Sequence, residues 1–381
     1  MGLTDPAFLI VLIVLLVVAI AALVVLWPRL AGTRWWAVPS RIGSILGINL
    51  LVVVVAAVSL NDTFLFFSSW SDLTASGDSS AVAGTSGGSV TGAVTATVAP
   101  AGSVPTVEKG VPVPGSSTDR SKLFDVTGTD SGVTSKVLVL LPAGYADPAN
   151  AHRTYPVIEA FPGFPGTALG LAKVFDISAT MDRLASEKQL AESLVVIAEP
   201  WSPPRRDTEC VDGPGGTGVG DLYETWSAVD VPAWVGLTFR AAKERASWAT
   251  FGISAGAWCA AMVAMRHPAQ FSAAIEFAGY FRPDFANWMP YPAGDPLLER
   301  YDLVKLAGTS PPPVAMFVMG FTDDELSYPS TQAFIAAARP PLSVTTRIGS
   351  LGGHLVRRWV GTFAPALDWL GHGVPGFAPA P

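Results

Sequence analysis

The amino-acid sequence predicts an α/β domain with a mostly parallel central sheet flanked by helices, preceded by two transmembrane helices. Three observations lead to this prediction. Two long apolar runs without charges stand near the start of the chain, and short apolar strands alternate with helical stretches from Arg120 onward. Half of the residues are hydrophobic and only 14% are charged, a composition typical of chains with membrane spans.

The two apolar runs cover residues 7–27 and 42–60, and each is about as long as a helix needs to be to cross the hydrocarbon core. A cleaved signal peptide is the alternative for the first run. The residues before it include Asp5 but no Lys or Arg, so the basic segment that begins a signal peptide is missing. We therefore expect residues 1–71 to form a two-helix membrane anchor.

The basic residues predict the orientation of this anchor. Arg29, Arg34 and Arg41 lie in the short connection between the two runs, and the next basic residue is Lys109. Basic residues concentrate in cytoplasmic loops, so both termini should lie outside. The sequence thus predicts a multi-pass protein of the cell membrane with its remaining domain on the extracytoplasmic side.

Residues 72–119 are rich in Ser, Gly, Ala, Thr, Val and Pro and show no helical period, which predicts a flexible tether. This segment contains GTSGG, a G-x-S-x-G match around Ser86. No predicted strand precedes this match and no predicted helix follows it, so we interpret Ser86 as a chance match. Residues 120–381 then form the α/β domain.

The strands of this domain are predicted from short apolar or β-branched runs. These runs are VLVLL (137–141), VIEAF (157–161), LVVIA (194–198), WATF (248–251), AAIEF (273–277), VAMFVM (314–319) and SVTTRI (343–348). Strands that alternate with helices favour a sheet covered on both faces. The pair LFDVTG and SKVLVLL around GTDSG predicts an antiparallel hairpin before the parallel part.

Ser254 is the candidate nucleophile. It lies in GISAG, after the strand WATF and before the helical run AGAWCAAMVAMRH. A strand-turn-helix elbow of this kind exposes a serine hydroxyl above the sheet edge, and the following helix N-terminus favours developing negative charge. The alternative is a serine in a glycine-rich turn without a catalytic role.

A serine hydroxyl needs a base to accept its proton, and His354 is the candidate. It follows the last predicted strand and a glycine turn, as the chain order Ser, acid, His requires. Of the other histidines, His152 precedes a strand, His267 ends the helix after Ser254, and His372 lies in the Gly/Pro-rich tail. A loop histidine without function is the alternative for His354.

The acid that orients the histidine should follow the strand VAMFVM. Asp323, Asp324 and Glu325 stand there, and a carboxylate at this place would hold the imidazole in the right tautomer. We predict Asp323, with Asp324 and then Glu325 as alternatives. All three could instead belong to a solvated loop.

Two backbone amides should stabilise the oxyanion, one from the residue after the nucleophile and one from an early loop. Ala255 supplies the first. In FPGFPGT, which follows the strand VIEAF, Phe164 is the natural second, because Pro162 and Pro165 have no N–H. A turn with a purely structural role is the alternative.

Several classes of partner are disfavoured. The net charge is −7 and no basic stripe occurs, which argues against nucleic acid. Cys210, Cys259 and the four histidines lack metal-ligand spacing, so we predict no metal and no cofactor. Outside the cytoplasm the two cysteines could form a disulfide that anchors the loop around Cys210; two separate buried cysteines are the alternative.

The ordered set of motifs resembles the α/β-hydrolase "putative esterase" family, which includes mycolyltransferases and esterase D-like enzymes. LLPAGY with TYPVIEAFPGFPG is similar to the family's strand pair and oxyanion loop, and YETWSAVDVPAWV to one of its helices. GISAGA is similar to its elbow, and GGHLVRRWVGTFAPALDWL to its histidine segment. The resemblance spans about residues 120–370 and implies an α/β-hydrolase fold with Ser254 as nucleophile, His354 as base and an acid in the cluster after VAMFVM.

These observations predict a membrane-anchored serine esterase that acts through an acyl-enzyme on carboxylic esters. Tethering beside a membrane favours lipid or envelope acyl esters as substrates. An acyltransferase of the mycolyltransferase type, with the same catalytic residues, is one alternative. A non-catalytic binding protein with the same fold is the other.

Overall fold

The computed structural model describes residues 6–30, 32, 35–64, 111–112, 120–201, 206–214, 221–286, 290–292 and 294–379. They belong to two compact units, one within Met1–Ala83 and the other within Gly84–Pro381. Ser86 and almost all of the predicted tether lie outside the described residues.

The first unit contains helices α1 (Pro6–Leu30) and α2 (Ala37–Phe64). Both are long and apolar enough to span a membrane by length and composition, with a mean hydropathy of 3.7 for Ala7–Leu30 and 2.4 for Ala37–Asn61. The two apolar runs predicted as spans lie inside these helices.

The described part of the second unit is built around one nine-stranded sheet with the order β1-β2-β3-β5-β4-β6-β7-β8-β9. Its strands are β1 (Val111–Pro112), β2 (Ser121–Thr127), β3 (Thr134–Leu140), β4 (Val157–Phe161), β5 (Leu194–Ala198), β6 (Trp248–Ile253), β7 (Ala273–Phe277), β8 (Ala315–Phe321) and β9 (Ser343–Gly349). Its α-helices are α3 (Ala168–Val174), α4 (Ile177–Ser186), α5 (Tyr223–Thr225), α6 (Val231–Thr238), α7 (Ala255–Arg266), α8 (Leu303–Thr309), α9 (Tyr328–Ala337) and α10 (Val356–Gly373).

The strand directions follow the prediction. β2 and β3 form an antiparallel hairpin, and β3 also pairs antiparallel with β5. From β5 to β9 all neighbours are parallel. The carboxyl ends of six parallel strands therefore meet at one edge of the sheet, where loops can bring distant residues together.

Two local features differ from the prediction. β1 lies inside the segment assigned to the tether, because Val111 and Pro112 pair with Leu123 and Lys122 of β2. The motif YETWSAVDVPAWV is not one regular helix: a π-helical segment, Trp226–Asp230, stands between α5 and α6.

The central strands β4, β5, β6 and β7 are buried on both faces. Thr250 of β6 points to one face, where its hydroxyl donates to the carbonyl of Ala260 in α7 at 2.8 Å. Its neighbour Phe251 points to the other face and packs against Phe363 of α10, with ring centroids 4.9 Å apart. Successive strand residues point to opposite faces, so the continuous apolar runs in the sequence correspond to strands covered on both sides.

Candidate active site

Ser254 lies at the turn between β6 and α7, at the carboxyl edge of the sheet. Its backbone has φ 54° and ψ −124°, a conformation that non-glycine residues adopt at a cost of about 1–3 kcal/mol. The Ser254 amide donates to the carbonyl of Phe277 at 2.9 Å. This contact fixes the strained turn against β7.

The two glycines of the elbow are required by close backbone approaches. A Cβ atom on Gly252 would lie 1.9 Å from the carbonyl oxygen of Gly256, and one on Gly256 would lie 2.2 Å from the carbonyl oxygens of Phe161 and Pro162. Side chains at either position would therefore push α7 away from β4 and β6. The spacing G-x-S-x-G here has a steric cause.

His354 joins Ser254 to an acid. Its Nε2 atom lies 2.8 Å from the Ser254 hydroxyl oxygen, and its Nδ1 atom lies 2.8 Å from Oδ2 of Asp324. The imidazole is 14% exposed and the Asp324 carboxylate 1%. Trp359 of α10 packs edge-on against the imidazole, with centroids 4.9 Å apart.

Asp324 is held as a carboxylate by its surroundings. The Ser327 hydroxyl donates to Oδ2 at 2.6 Å, and the Leu326 amide donates to Oδ1 at 3.1 Å. Burial opposes ionisation, but the hydrogen bonds from His354 and Ser327 outweigh it and lower the pKa of Asp324. The acid is thus charged at neutral pH and can stabilise an imidazolium.

The prediction that Asp323 contacts the histidine is wrong. The Asp323 carboxylate instead accepts hydrogen bonds from the amides of Gly352 (3.0 Å) and Gly353 (2.8 Å), and these bonds lower its pKa. Adjacent residues in this turn point in different directions, so only one of them can face the imidazole. Asp323 fastens the loop that carries His354, and Glu325 is exposed to solvent.

The loop predicted to hold the second oxyanion donor lies beside Ser254. A Cβ atom on Gly163 would lie 3.3 Å from Cβ of Ser254. The Gly166 amide donates to the Gly163 carbonyl at 2.6 Å, and Phe164 packs edge-on against Trp201. The Phe164 peptide therefore belongs to a tight turn next to the serine.

The other predicted donor, Ala255, is the first residue of α7. Amides in the first turn of a helix have no partner within the helix. Its N–H group therefore has no acceptor within α7. The roles of the Ala255 and Phe164 amides as oxyanion donors stay predictions.

Cys210 and Cys259 form a disulfide, the pairing that the sequence left as one of two alternatives. It joins the loop 206–214 to the second turn of α7. The Trp258 indole N–H also donates to the Glu209 carbonyl at 2.7 Å, and the Tyr280 hydroxyl donates to the Glu209 carboxyl at 2.5 Å. The loop is thus tied to the helix that begins after the nucleophile.

A second polar network lies at the far end of α7. Glu224 is buried and bonds to Arg266 Nε (2.8 Å), His267 Nε2 (2.9 Å) and the Tyr301 hydroxyl (2.8 Å). Burial opposes its ionisation, but the bonds from His267 and Arg266 prevail and lower its pKa to about 2. This network joins α5 to the carboxyl end of α7, away from Ser254; the spacing along the sequence held no signal for it.

The remaining histidines stand apart from the triad. His372 lies inside α10, not in an irregular tail as its Gly/Pro-rich surroundings indicated.

Ser327, whose hydroxyl donates to Asp324, was not identified from the sequence. An Asp followed three residues later by Ser is a common local hydrogen-bonding pattern, which could have indicated this contact. Within the described ranges, no group of three or more His, Cys, Asp or Glu residues could hold a metal ion.

The geometry has the parts that acyl transfer needs. A hydroxyl faces a histidine, and the histidine faces a buried carboxylate, in the chain order Ser254, Asp324, His354. The model of the "Putative esterase" family matches residues 130–339, more than half of the chain. The chain belongs to the putative esterase family. Membership makes this esterase a serine hydrolase of the α/β-hydrolase fold.

Solved structures agree with this fold. The esterase is similar to a ferulic acid esterase (22% identity, TM-score 0.54, 66% of this chain and 98% of that chain). It is also similar to an S-formylglutathione hydrolase from Agrobacterium tumefaciens (17% identity, TM-score 0.56, 70% of this chain and 99% of that chain). A third similar structure is the fluorophosphonate-binding serine hydrolase F of Staphylococcus aureus (14% identity, TM-score 0.51, 70% of this chain and 99% of that chain). No curated protein matches the chain in sequence.

Proposed function

We propose that the protein is a membrane-anchored, extracytoplasmic serine esterase that hydrolyses carboxylic esters, chiefly of lipids, through an acyl-enzyme on Ser254. The observation that carries the proposal is the hydrogen-bonded series Asp324, His354, Ser254 at the strained turn. Neither a scaffold nor a binding protein needs a serine in this costly conformation facing a histidine.

In the first half-reaction, His354 accepts the proton of Ser254 while the serine oxygen bonds to the ester carbonyl carbon. The carbonyl oxygen becomes an oxyanion, for which the amides of Ala255 and Phe164 are the proposed donors. Collapse of the tetrahedral intermediate breaks the ester bond, and His354 gives its proton to the departing alcohol. The acyl group then remains on Ser254.

In the second half-reaction, water takes the place of the alcohol. His354 accepts a proton from the water as its oxygen bonds to the acyl carbon. The second tetrahedral intermediate collapses, the serine oxygen regains the proton from His354, and the carboxylic acid leaves. Asp324 stays ionised throughout and stabilises the imidazolium.

Two independent observations support the extracytoplasmic location. Arg29 and Arg41 flank the connection between the apolar helices, as expected of a cytoplasmic loop. The disulfide between Cys210 and Cys259 fits an oxidising compartment, because such bonds rarely persist in the cytosol.

Two exposed leucines support lipid esters as substrates. Leu326 follows Asp324 by two residues and is 55% exposed, and Leu351 precedes His354 by three and is 78% exposed. The Gly352 and Gly353 amides donate to the Asp323 carboxylate, and these hydrogen bonds hold the two loops together. An exposed leucine on each of the two loops that carry Asp324 and His354 suits an acyl chain, since contact of these side chains with hydrocarbon removes apolar surface from water.

The test of the triad uses the full chain in detergent and a fluorophosphonate probe. We expect rapid labelling of the wild type, none of Ser254→Ala, and labelling of His354→Ala that is slower by at least about 10³-fold. Equal labelling of the wild type and Ser254→Ala would refute the proposed nucleophile.

The test of the lipid preference compares esters of long and short acyl chains. Leu326→Ser and Leu351→Ser should each lower kcat/KM for the long-chain ester by about fivefold and leave the short-chain ester nearly unaffected. The matched control is Leu237→Ser, because Leu237 is 65% exposed but lies on α6, before β6. Equal losses for both esters would contradict the preference.

A further inference from the structure

Glu276 is a carboxyl group buried beneath the first turns of α7. It stands in β7, between Gly252 of β6 and Val318 of β8 in the register of the sheet, and none of it is exposed. A Cβ atom on Gly279 would lie 2.4 Å from Oε1 of Glu276 and 3.1 Å from the amide nitrogen of Trp258. The carboxyl is thus close to the backbone of the helix that begins after Ser254.

No cation faces this carboxyl within the described residues. Oε1 accepts a hydrogen bond from the Gly279 amide, whereas Oε2 is buried without a hydrogen-bond partner there. The charged group that faces it is Asp324, from the turn after β8, and His354 binds the same aspartate. Burial is the main cause that raises the pKa of Glu276, and the negative charge of Asp324 raises it further. The hydrogen bond from the Gly279 amide lowers the pKa, but the net result is a value of about 8.

The other elements around Glu276 add no positive charge. α7 has no ionisable side chain from Ala255 to Met265 apart from Cys259, which is in the disulfide. β6 presents Thr250 and Gly252, and β4 presents Glu159 on the same face. Tyr280, after Gly279, bonds to Glu209. None of these groups is a base, so α7, β4, β6 and Tyr280 place no positive charge beside Glu276.

The charge of Glu276 matters because of the place of α7. The electropositive end of α7 adjoins Ser254, where negative charge develops on the substrate oxygen in the transition state. A protonated carboxyl carries no charge and leaves the positive potential at this end of α7 unchanged. An ionised carboxyl beneath the first turns would oppose it and would also add a second negative charge beside Asp324.

We propose that Glu276 is a positioning residue that must hold its proton for activity, and that loss of this proton to solvent weakens the electrostatic stabilisation of the oxyanion at Ser254. The inference rests on the proposed function, since it requires acyl transfer at Ser254. It assigns a role to a buried acid that neither half-reaction uses.

The experiment measures kcat and KM of the full chain in detergent with a water-soluble short-chain ester from about pH 6 to about pH 10. The wild-type kcat should fall about tenfold between pH 7 and 9, with a midpoint near the pKa of about 8, while KM changes little. Glu276→Gln keeps an oxygen that can accept from the Gly279 amide. Its kcat at pH 9 should be about the same as its kcat at pH 7. Titration of active sites with a fluorophosphonate at each pH corrects for unfolded enzyme.

The matched control is Glu159→Gln. Glu159 is as buried as Glu276 and lies on the same face of the sheet, but in β4, so this variant should keep the alkaline fall. Glu276→Met is a second neutral variant in case the glutamine does not fold, and it too should lack the fall.

Three results would overturn the inference. They are a wild-type kcat that stays flat between pH 7 and 9, an unchanged alkaline midpoint in the neutral Glu276 variants, and an alkaline fall that Glu159→Gln abolishes as well. If Ser254-dependent labelling and turnover are absent at every pH, the proposed function fails, and this inference with it. Normal labelling with an unchanged midpoint refutes the role of Glu276 alone.

Discussion

Replacement of Asp324 by Asn should disable the histidine by changing its tautomer. The Asp324 carboxylate accepts on Oδ1 from the Leu326 and Ser327 amides, and on Oδ2 from His354 and the Ser327 hydroxyl. An asparagine must put its NH₂ group at one of these places. The backbone amides cannot turn away, but the hydroxyl can, so the NH₂ group should face Nδ1 of His354. Nδ1 then becomes an acceptor, and the ring proton moves to Nε2, the atom that should accept the proton of Ser254.

The expected cost follows from this reversal. A wrong tautomer at an intact triad lowers kcat by about 10⁴-fold, which corresponds to about 5.5 kcal/mol of transition-state stabilisation. The assay is the steady-state hydrolysis of a water-soluble ester near pH 7, together with the rate of fluorophosphonate labelling. Both rates should fall together, because both need the same proton acceptor.

Asp323→Asn is the matched control, since it makes the same change one residue earlier. Asp323 bonds to the Gly352 and Gly353 amides and not to the imidazole, and an asparagine oxygen can still accept one of these bonds. We expect less than a tenfold loss of kcat. The assignment of the acid would be refuted if Asp323→Asn were the more damaging variant, or if Asp324→Asn kept a tenth or more of the wild-type kcat.

Three further predictions concern stability, each measured by denaturant unfolding. Cys210→Ser with Cys259→Ser should lower the free energy of unfolding by about 4 kcal/mol, because the disulfide bridges a sequence separation of 49 residues; an unchanged value would mean that the loop is held by its other contacts. Glu224 has its pKa lowered from 4.5 to about 2 in the fold, so its stabilisation is complete above pH 4.5 and is lost as the pH falls toward 2. The wild type should lose about 3 kcal/mol across this range, and a similar loss in Glu224→Gln would exclude Glu224 as the source. Gly256→Ala should cost about 1–3 kcal/mol, because its Cβ would lie 2.2 Å from two carbonyl oxygens; Gly236→Ala, in a helix with open space around it, should be neutral or stabilising and serves as the control.

The strands could be predicted because their signal is local. Each of the seven apolar or β-branched runs forms a strand. The runs of β4, β5, β6 and β7 are continuous because these central strands are buried on both faces. β1 could not be predicted, since the two residues Val111 and Pro112 carry no periodicity and pair only because β2 offers a free edge. The π-helical segment Trp226–Asp230 also has no signature in composition.

The candidate site was predictable to the extent that chain order and turn chemistry determine it. Ser254 and His354 follow strands whose carboxyl ends meet at one edge, so a parallel sheet brings them close although they are 100 residues apart. The choice between Asp323 and Asp324 has no such basis. Both follow the same strand, and the backbone angles of one turn decide which carboxylate faces the imidazole and which faces the Gly352 and Gly353 amides.

The sequence by itself determined the two apolar helices, the alternation of strands and helices, and the elbow around Ser254, because each depends on residues that are neighbours along the chain. Only the tertiary structure decided the identity of the acid, the pairing of Cys210 with Cys259, and the burial of Glu276 under α7. These depend on distances between elements that are far apart in sequence. An ionisable group acquires its pKa and its role from such neighbours, which packing brings together and the order of residues does not record.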